Sequence, residues 1–211
     1  MGSSAAAVVY VHGLWMPGLE STVLMRRLAK RGLRPYVFPY ASVFEPMAHI
    51  AASLRQMVAR IDAPQVHLLG HSLGGLVIQR TLERYRMSQP GRVVFLGSPC
   101  TGSRVARRLG AWGFGRRLLG RAAVEEFLVE RARRWESERE LGIIAGTVPL
   151  GFGRLLLTFK EANDGTVAVS ETALPGAKSR LCLPVTHTGL LLSARVAREA
   201  GNFFEHGRFS A

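Results

Sequence analysis

The chain has 211 residues, 47% of them hydrophobic, and 28 Lys+Arg against 15 Asp+Glu give it a formal net charge of +13. A chain of this length folds most simply as one domain, burying roughly 70% of its unfolded surface without disulfide or metal staples. The basic excess suits phosphate-rich or anionic lipid surfaces, but no zinc-finger spacing, RNA-recognition aromatic motif or heptad-backed basic helix accompanies it, so no nucleic-acid partner is expected.

The amino-terminal stretch MGSSAAAVVYVHG lacks a basic leading region and runs directly into an apolar segment, so no secretory signal is expected. No stretch approaches 18 continuous apolar residues, and a membrane span is not expected either. The expected location is cytoplasmic, with peripheral contact to an anionic membrane as the alternative that the charge allows. Cys100 and Cys182 fall near the ends of two different predicted strands, an arrangement that neither requires nor forbids a disulfide. Small buried thiols are the expectation for both.

Short apolar runs rich in β-branched residues alternate with segments of helical period, the pattern of βαβ units and a mostly parallel sheet. In chain order, strands are predicted at Ala7 to Val11, Pro35 to Phe38, Val66 to Leu69, Val93 to Leu96, Ile143 to Ala145 and Arg180 to Leu183. Helices are predicted at Leu19 to Arg31, Pro46 to Ile61, Gly75 to Met87 and Leu190 to Phe204, the second burying Ile50, Leu54, Met57 and Ile61 on one face. Right-handed crossovers place such helices on both faces of the sheet. Between Thr101 and Glu140 the alternation breaks. Arginines, Arg131 among them, and glycines interleave there with Val105, Leu109, Trp112, Phe114, Leu118 and Leu119. Short, broken helices are expected, with Val105, Leu109 and Trp112 on one face of the first.

The stretch LLGHSLGGLV contains Gly70-His71-Ser72-Leu73-Gly74 between an apolar run and a helical segment. This is G-x-S-x-G, in which the glycines let a strand and a helix meet around a strained turn that exposes the serine. A serine hydroxyl needs a histidine base, and the histidine needs an acid to hold it. In this architecture the partners follow in the order Ser, acid, His. Of the two aspartates, Asp62 precedes the serine and Asp164 follows it, in the turn-forming sequence Asn163-Asp164-Gly165. Only His187 and His206 follow Asp164, and His187 lies between the last strand and the last helix, where a loop can swing it over Ser72. The candidate triad is Ser72, Asp164 and His187, with Glu161 or Glu171 as alternative acids. The backbone N–H groups of Leu73 and of Leu14, in VHGLW, are the candidate oxyanion donors. Trp15 and Met16 are candidate substrate-binding residues, and Trp112, Phe114, Leu118 and Leu119 could extend the same apolar groove.

GHSLGG, the early VHG, the NDG turn and the H-x-G-L-L ending together resemble the α/β-hydrolase superfamily, and within it small bacterial serine esterases and lipases of the compact, largely lidless kind. The resemblance spans nearly the whole chain in order. It implies a compact α/β fold of about six strands with helices on both faces, as a single domain over residues 1–211. It also implies an acyl-enzyme on Ser72, an acyl-ester or lipid substrate, and no metal or organic cofactor. The Arg-rich residues 101–140 fall where larger members insert a cap. A thioesterase or acyltransferase would use the same residues, and a membrane-surface lipid-binding protein is the alternative outside catalysis.

Overall fold

The computed structural model describes residues 5–128, 133–151, 153, 156 and 158–210; Arg131 and the first four residues lie outside them. Six parallel strands form one sheet in the order β2-β1-β3-β4-β5-β6. They are β1 (Ala7–Val11), β2 (Arg34–Phe38), β3 (Val66–His71), β4 (Val93–Leu96), β5 (Leu141–Gly146) and β6 (Ser179–Leu183). Every residue of β1, β3, β4 and β5 is buried, as strands covered on both faces require. The edge strands β2 and β6 alternate instead, because one face at each edge is left open. Cys182 is on that open face and is exposed, whereas Cys100 is buried. The expectation of two buried thiols therefore holds only for Cys100.

Side chains alternate across the sheet and feed two cores. Val9, Val11, Leu68, Phe95 and Ile143 pack with the helices α2 (Met47–Ala59) and α3 (Leu73–Arg84). Val8, Tyr10, Leu69, Val94 and Ile144 pack with α1 (Thr22–Ala29) and α7 (Ala194–His206). In α2 the buried stripe is Met47, Ile50, Ala51, Leu54 and Val58. Met57, one step off that stripe, is only partly buried, and Ile61 packs from beyond the helix end.

The predicted last helix is two helices, α6 (Gly189–Leu192) and α7. Ser193 separates them in an extended conformation, and its hydroxyl accepts from the Val196 N–H to cap α7. In the Arg-rich segment, α4 (Arg104–Gly110) is capped by Ser103, whose hydroxyl accepts from the Ala106 N–H at 3.1 Å. The next helix, α5 (Gly115–Ala123), contains the non-helical Gly120 at φ 74° and continues into a π-turn at Val124–Leu128. A Cβ at Gly120 would lie 2.2 Å from the Val43 carbonyl oxygen, so the chain can cross there only as glycine. Trp112 lies past the end of α4 and is 49% exposed, not on the buried face that carries Val105 and Leu109.

The segment is tied down by a buried carboxylate. Glu126 accepts from Arg80 Nε and Arg133 Nη2, each at 2.8 Å, while Arg133 Nη1 donates to the Cys100 carbonyl at 2.9 Å. Among the described residues no helix is long and apolar enough to cross a membrane.

Candidate active site

β3 ends at His71 and α3 begins at Leu73, so the whole reversal falls on Ser72. Its backbone sits at φ 54°, ψ −121°, and its N–H donates to the Leu96 carbonyl at 2.9 Å. A non-glycine residue at such angles is strained, and the packing around it must hold the strain. Here the glycines do so by permitting contact. A Cβ at Gly70 would lie 2.6 Å from the Gly75 backbone, and one at Gly74 2.0 Å from the Val11 carbonyl oxygen.

The loop after β1 is fixed against this turn. His12 stacks on Tyr40 with centroids 4.1 Å apart, and the Tyr40 hydroxyl donates to the His12 carbonyl at 2.7 Å. Burial lowers the His12 pKa. The Trp15 N–H donates to Ser42 Oγ at 3.2 Å, and Trp15 itself has φ 61°. A Cβ on Gly13 would stand 3.1 Å from Ser72 Cβ, which measures how closely this loop approaches the serine. Among the described residues the amides of Leu14 and Leu73 make no hydrogen bond.

Asp164 and His187 come from loops beyond β5 and β6. Asp164 Oδ2 accepts from His187 Nδ1 at 2.6 Å, with both side chains buried. The other oxygen, Oδ1, accepts the amides of Thr166 at 2.9 Å and Val167 at 2.7 Å. Asn163 Oδ1 accepts the Gly165 amide at 3.0 Å, and the His187 N–H donates back to the Asp164 carbonyl at 2.8 Å. The Asn-Asp-Gly turn thus orients the carboxylate, and the carboxylate in turn orients the imidazole. Gly97, at φ 56°, passes directly beneath the pair. A Cβ there would be 3.0 Å from Asp164 Oδ2 and 3.1 Å from His187 Nδ1.

The other candidate acids are engaged elsewhere. Glu171 binds Arg104 and the Ala168 amide, and Glu161 pairs with Arg104 at 2.7 Å. Asp62 is exposed beyond the end of α2, and His206 lies exposed at the end of α7.

Ser72, His187, Leu14, Trp15 and Met16 all line one cavity of about 320 Å³. Its far wall is apolar, built from Val105, Leu109, Leu119 and Phe127 of the Arg-rich segment, with Leu150 at its edge. Of the four further groove candidates only Leu119 lines it; Trp112, Phe114 and Leu118 face outward.

Sequence reasoning passed over His71, the variable position between Gly70 and Ser72. Its ring is buried beside that of His187, with centroids 4.6 Å apart, and Nε2 donates to the His187 carbonyl at 3.2 Å. Burial first, and the neighbouring His187 second, push its pKa well below the usual value, so the ring stays neutral. No signal in the motif itself could have found it. Among the described residues, no group of three or more His, Cys, Asp or Glu side chains is placed to hold a metal ion.

A family profile described as "Alpha/beta hydrolase family" matches residues 8–197. Curated proteins gave no significant match. Among solved structures, the chain is similar to the mature lipase BlEst2 of Bacillus licheniformis at 20% identity, covering 89% of this chain and 87% of that one, with a TM-score of 0.64. A metagenomic carboxyl esterase aligns at 18% identity over 89% of this chain and 66% of its own, with a TM-score of 0.67. The RedJ thioesterase of Streptomyces coelicolor prodiginine biosynthesis aligns at 15% identity over 95% and 86%, with a TM-score of 0.60. With the profile matching nearly the whole chain and the sheet order and the strained serine turn agreeing with it, the protein belongs to the alpha/beta hydrolase family.

Proposed function

We propose that the protein is a serine hydrolase that cleaves carboxylic esters of acyl chains through an acyl-enzyme on Ser72. The observation that carries this reading is the buried Asp164–His187 pair at 2.6 Å, opening on the same cavity as a serine held at φ 54°.

His187 takes the Ser72 proton as the oxygen attacks the substrate carbonyl, then delivers it to the departing alcohol; water repeats the sequence on the acyl-serine. Asp164 keeps the proton on Nδ1, so that Nε2 is free to accept, and stabilises the imidazolium. The amides of Leu14 and Leu73 receive the oxyanion, because their hydrogen bonds are worth most where charge develops away from water. His71 holds the His187 carbonyl and so steadies the loop that carries the base. Of the Arg-rich residues 101–140, the described part acts as a cap, with Val105, Leu109, Leu119 and Phe127 shaping the acyl site.

The cavity volume is at the small end of the usual ligand range of roughly 300–1,000 Å³. Across p-nitrophenyl esters from acetate to palmitate, kcat/KM should peak between butyrate and octanoate. Leu109→Trp, which fills the inner wall, should shift the optimum toward acetate and lower octanoate turnover by about tenfold or more, since each methylene in an apolar pocket is worth roughly that much. An acyl-CoA series run alongside separates ester from thioester preference. A palmitate optimum that Leu109→Trp leaves unchanged would place the acyl chain elsewhere.

A further inference from the structure

We propose that the outer face of residues 112–121, with Trp15, docks on an anionic lipid bilayer and presents the cavity mouth to it. The ester-hydrolase reading supplies only the purpose of the docking; binding itself can be measured without it.

Single exposed apolar residues are ordinary, but a contiguous set calls for an explanation. Trp15 is 48% exposed, Trp112 49%, Phe114 60% and Leu118 43%. The indole N–H of Trp15 donates to the Leu118 carbonyl at 2.8 Å, which joins the loop after β1 to α5. Phe114 and Leu118 are one helical turn apart, with the Leu118 amide bonded to the Phe114 carbonyl. Trp15 also lines the cavity, and Leu119 lines it from the inner side of α5. Through Trp15 the outward residues Leu118 and Phe114 therefore adjoin the cavity lining.

The charge around it has one sign. Residues 101–124 contain six arginines and no acidic residue. Arg107, Arg108, Arg116, Arg117 and Arg121 are exposed. The ion pairs of the region use Arg80, Arg104 and Arg133 instead, and among the described residues those five arginines make none. A shallow groove lined by Val43, Phe44, Arg116, Arg117 and Arg121 continues the same mixture, and Ser42, which precedes Val43 in the chain, accepts from the Trp15 N–H.

An anionic bilayer satisfies both halves of this surface. Tryptophan and other apolar side chains enter the head-group boundary, while arginines meet lipid phosphates and carboxylates with their stems in the apolar layer. A second copy of the chain fits poorly, since the same face would set arginine against arginine. Nucleic acid would satisfy the charge but would leave Phe114 and Leu118 in water.

The test is sedimentation of the full chain with vesicles of phosphatidylcholine containing about 30 mol% phosphatidylglycerol, against phosphatidylcholine alone, at about 50 and 500 mM salt. Binding is expected only to the anionic vesicles. It should weaken about tenfold or more in Arg116→Glu/Arg117→Glu, and severalfold in Phe114→Ser. Hydrolysis of dissolved p-nitrophenyl acetate should be unchanged in both variants. Equal binding to both vesicle types, no binding at low salt, or retention on duplex DNA without vesicle binding would each overturn the proposal. Absence of ester turnover alongside anionic-vesicle binding would instead count against the hydrolase reading and leave the docking standing.

Discussion

Ser72→Ala is expected to lower kcat for a p-nitrophenyl ester by at least about 10,000-fold with KM changed little, the scale on which removing a triad nucleophile acts. Two features make the variant informative. Alanine is no more strained than serine at φ 54°, and the backbone bond from residue 72 to the Leu96 carbonyl is retained, so the fold should persist and can be checked by thermal unfolding. The other serine lining the cavity, Ser103, already spends its hydroxyl accepting the Ala106 amide to cap α4, and no histidine is bonded to it. It is therefore a poor substitute. A loss of less than about tenfold would mean that the ester is being cleaved by something other than Ser72.

Asp164→Asn is expected to cost on the order of 1,000- to 10,000-fold in kcat at neutral pH, through the tautomer of His187. Asp164 Oδ1 accepts two amides, from Thr166 and Val167. An asparagine must leave its carbonyl oxygen in that position, because an NH2 group cannot accept, and so its NH2 turns toward His187 Nδ1. The NH2 donates, which forces the lone pair onto Nδ1 and the proton onto Nε2. The nitrogen that must take the Ser72 proton is then already protonated. An outcome within tenfold of wild type would show that the Asp164 carboxylate is not what prepares the base.

Scarcity made much of the candidate site legible. With only two aspartates in the chain and two histidines after the second, the chain order demanded by G-x-S-x-G left few assignments, and the structure brings Asp164 and His187 into contact. The central strands were legible for a different reason. Strands covered on both faces read as unbroken apolar runs, and β1 and β4 begin and end where those runs do. What escaped the sequence depends on partners remote in the chain. Cys182 reads as apolar, yet lies on the uncovered face of an edge strand. Trp112 continues the spacing of Val105 and Leu109, but α4 stops at Gly110 and leaves it outside. Phe127, from the Arg-rich segment, and Leu150, from the loop after β5, line the same cavity as Ser72, a contact no local pattern encodes. His71 is the variable letter of its motif, and its bond to the His187 carbonyl spans 116 positions.

The central claim is that Ser72 is the activated nucleophile, and covalent labelling tests it most directly. The wild type is treated with an alkyl fluorophosphonate, which phosphonylates a serine only where base and oxyanion donors activate it, and the adduct is located by peptide mass spectrometry. A single adduct on Ser72, absent from folded Ser72→Ala and strongly slowed in Asp164→Asn, is the predicted result. An unlabelled but folded wild type, or an adduct on any other residue, would contradict the account.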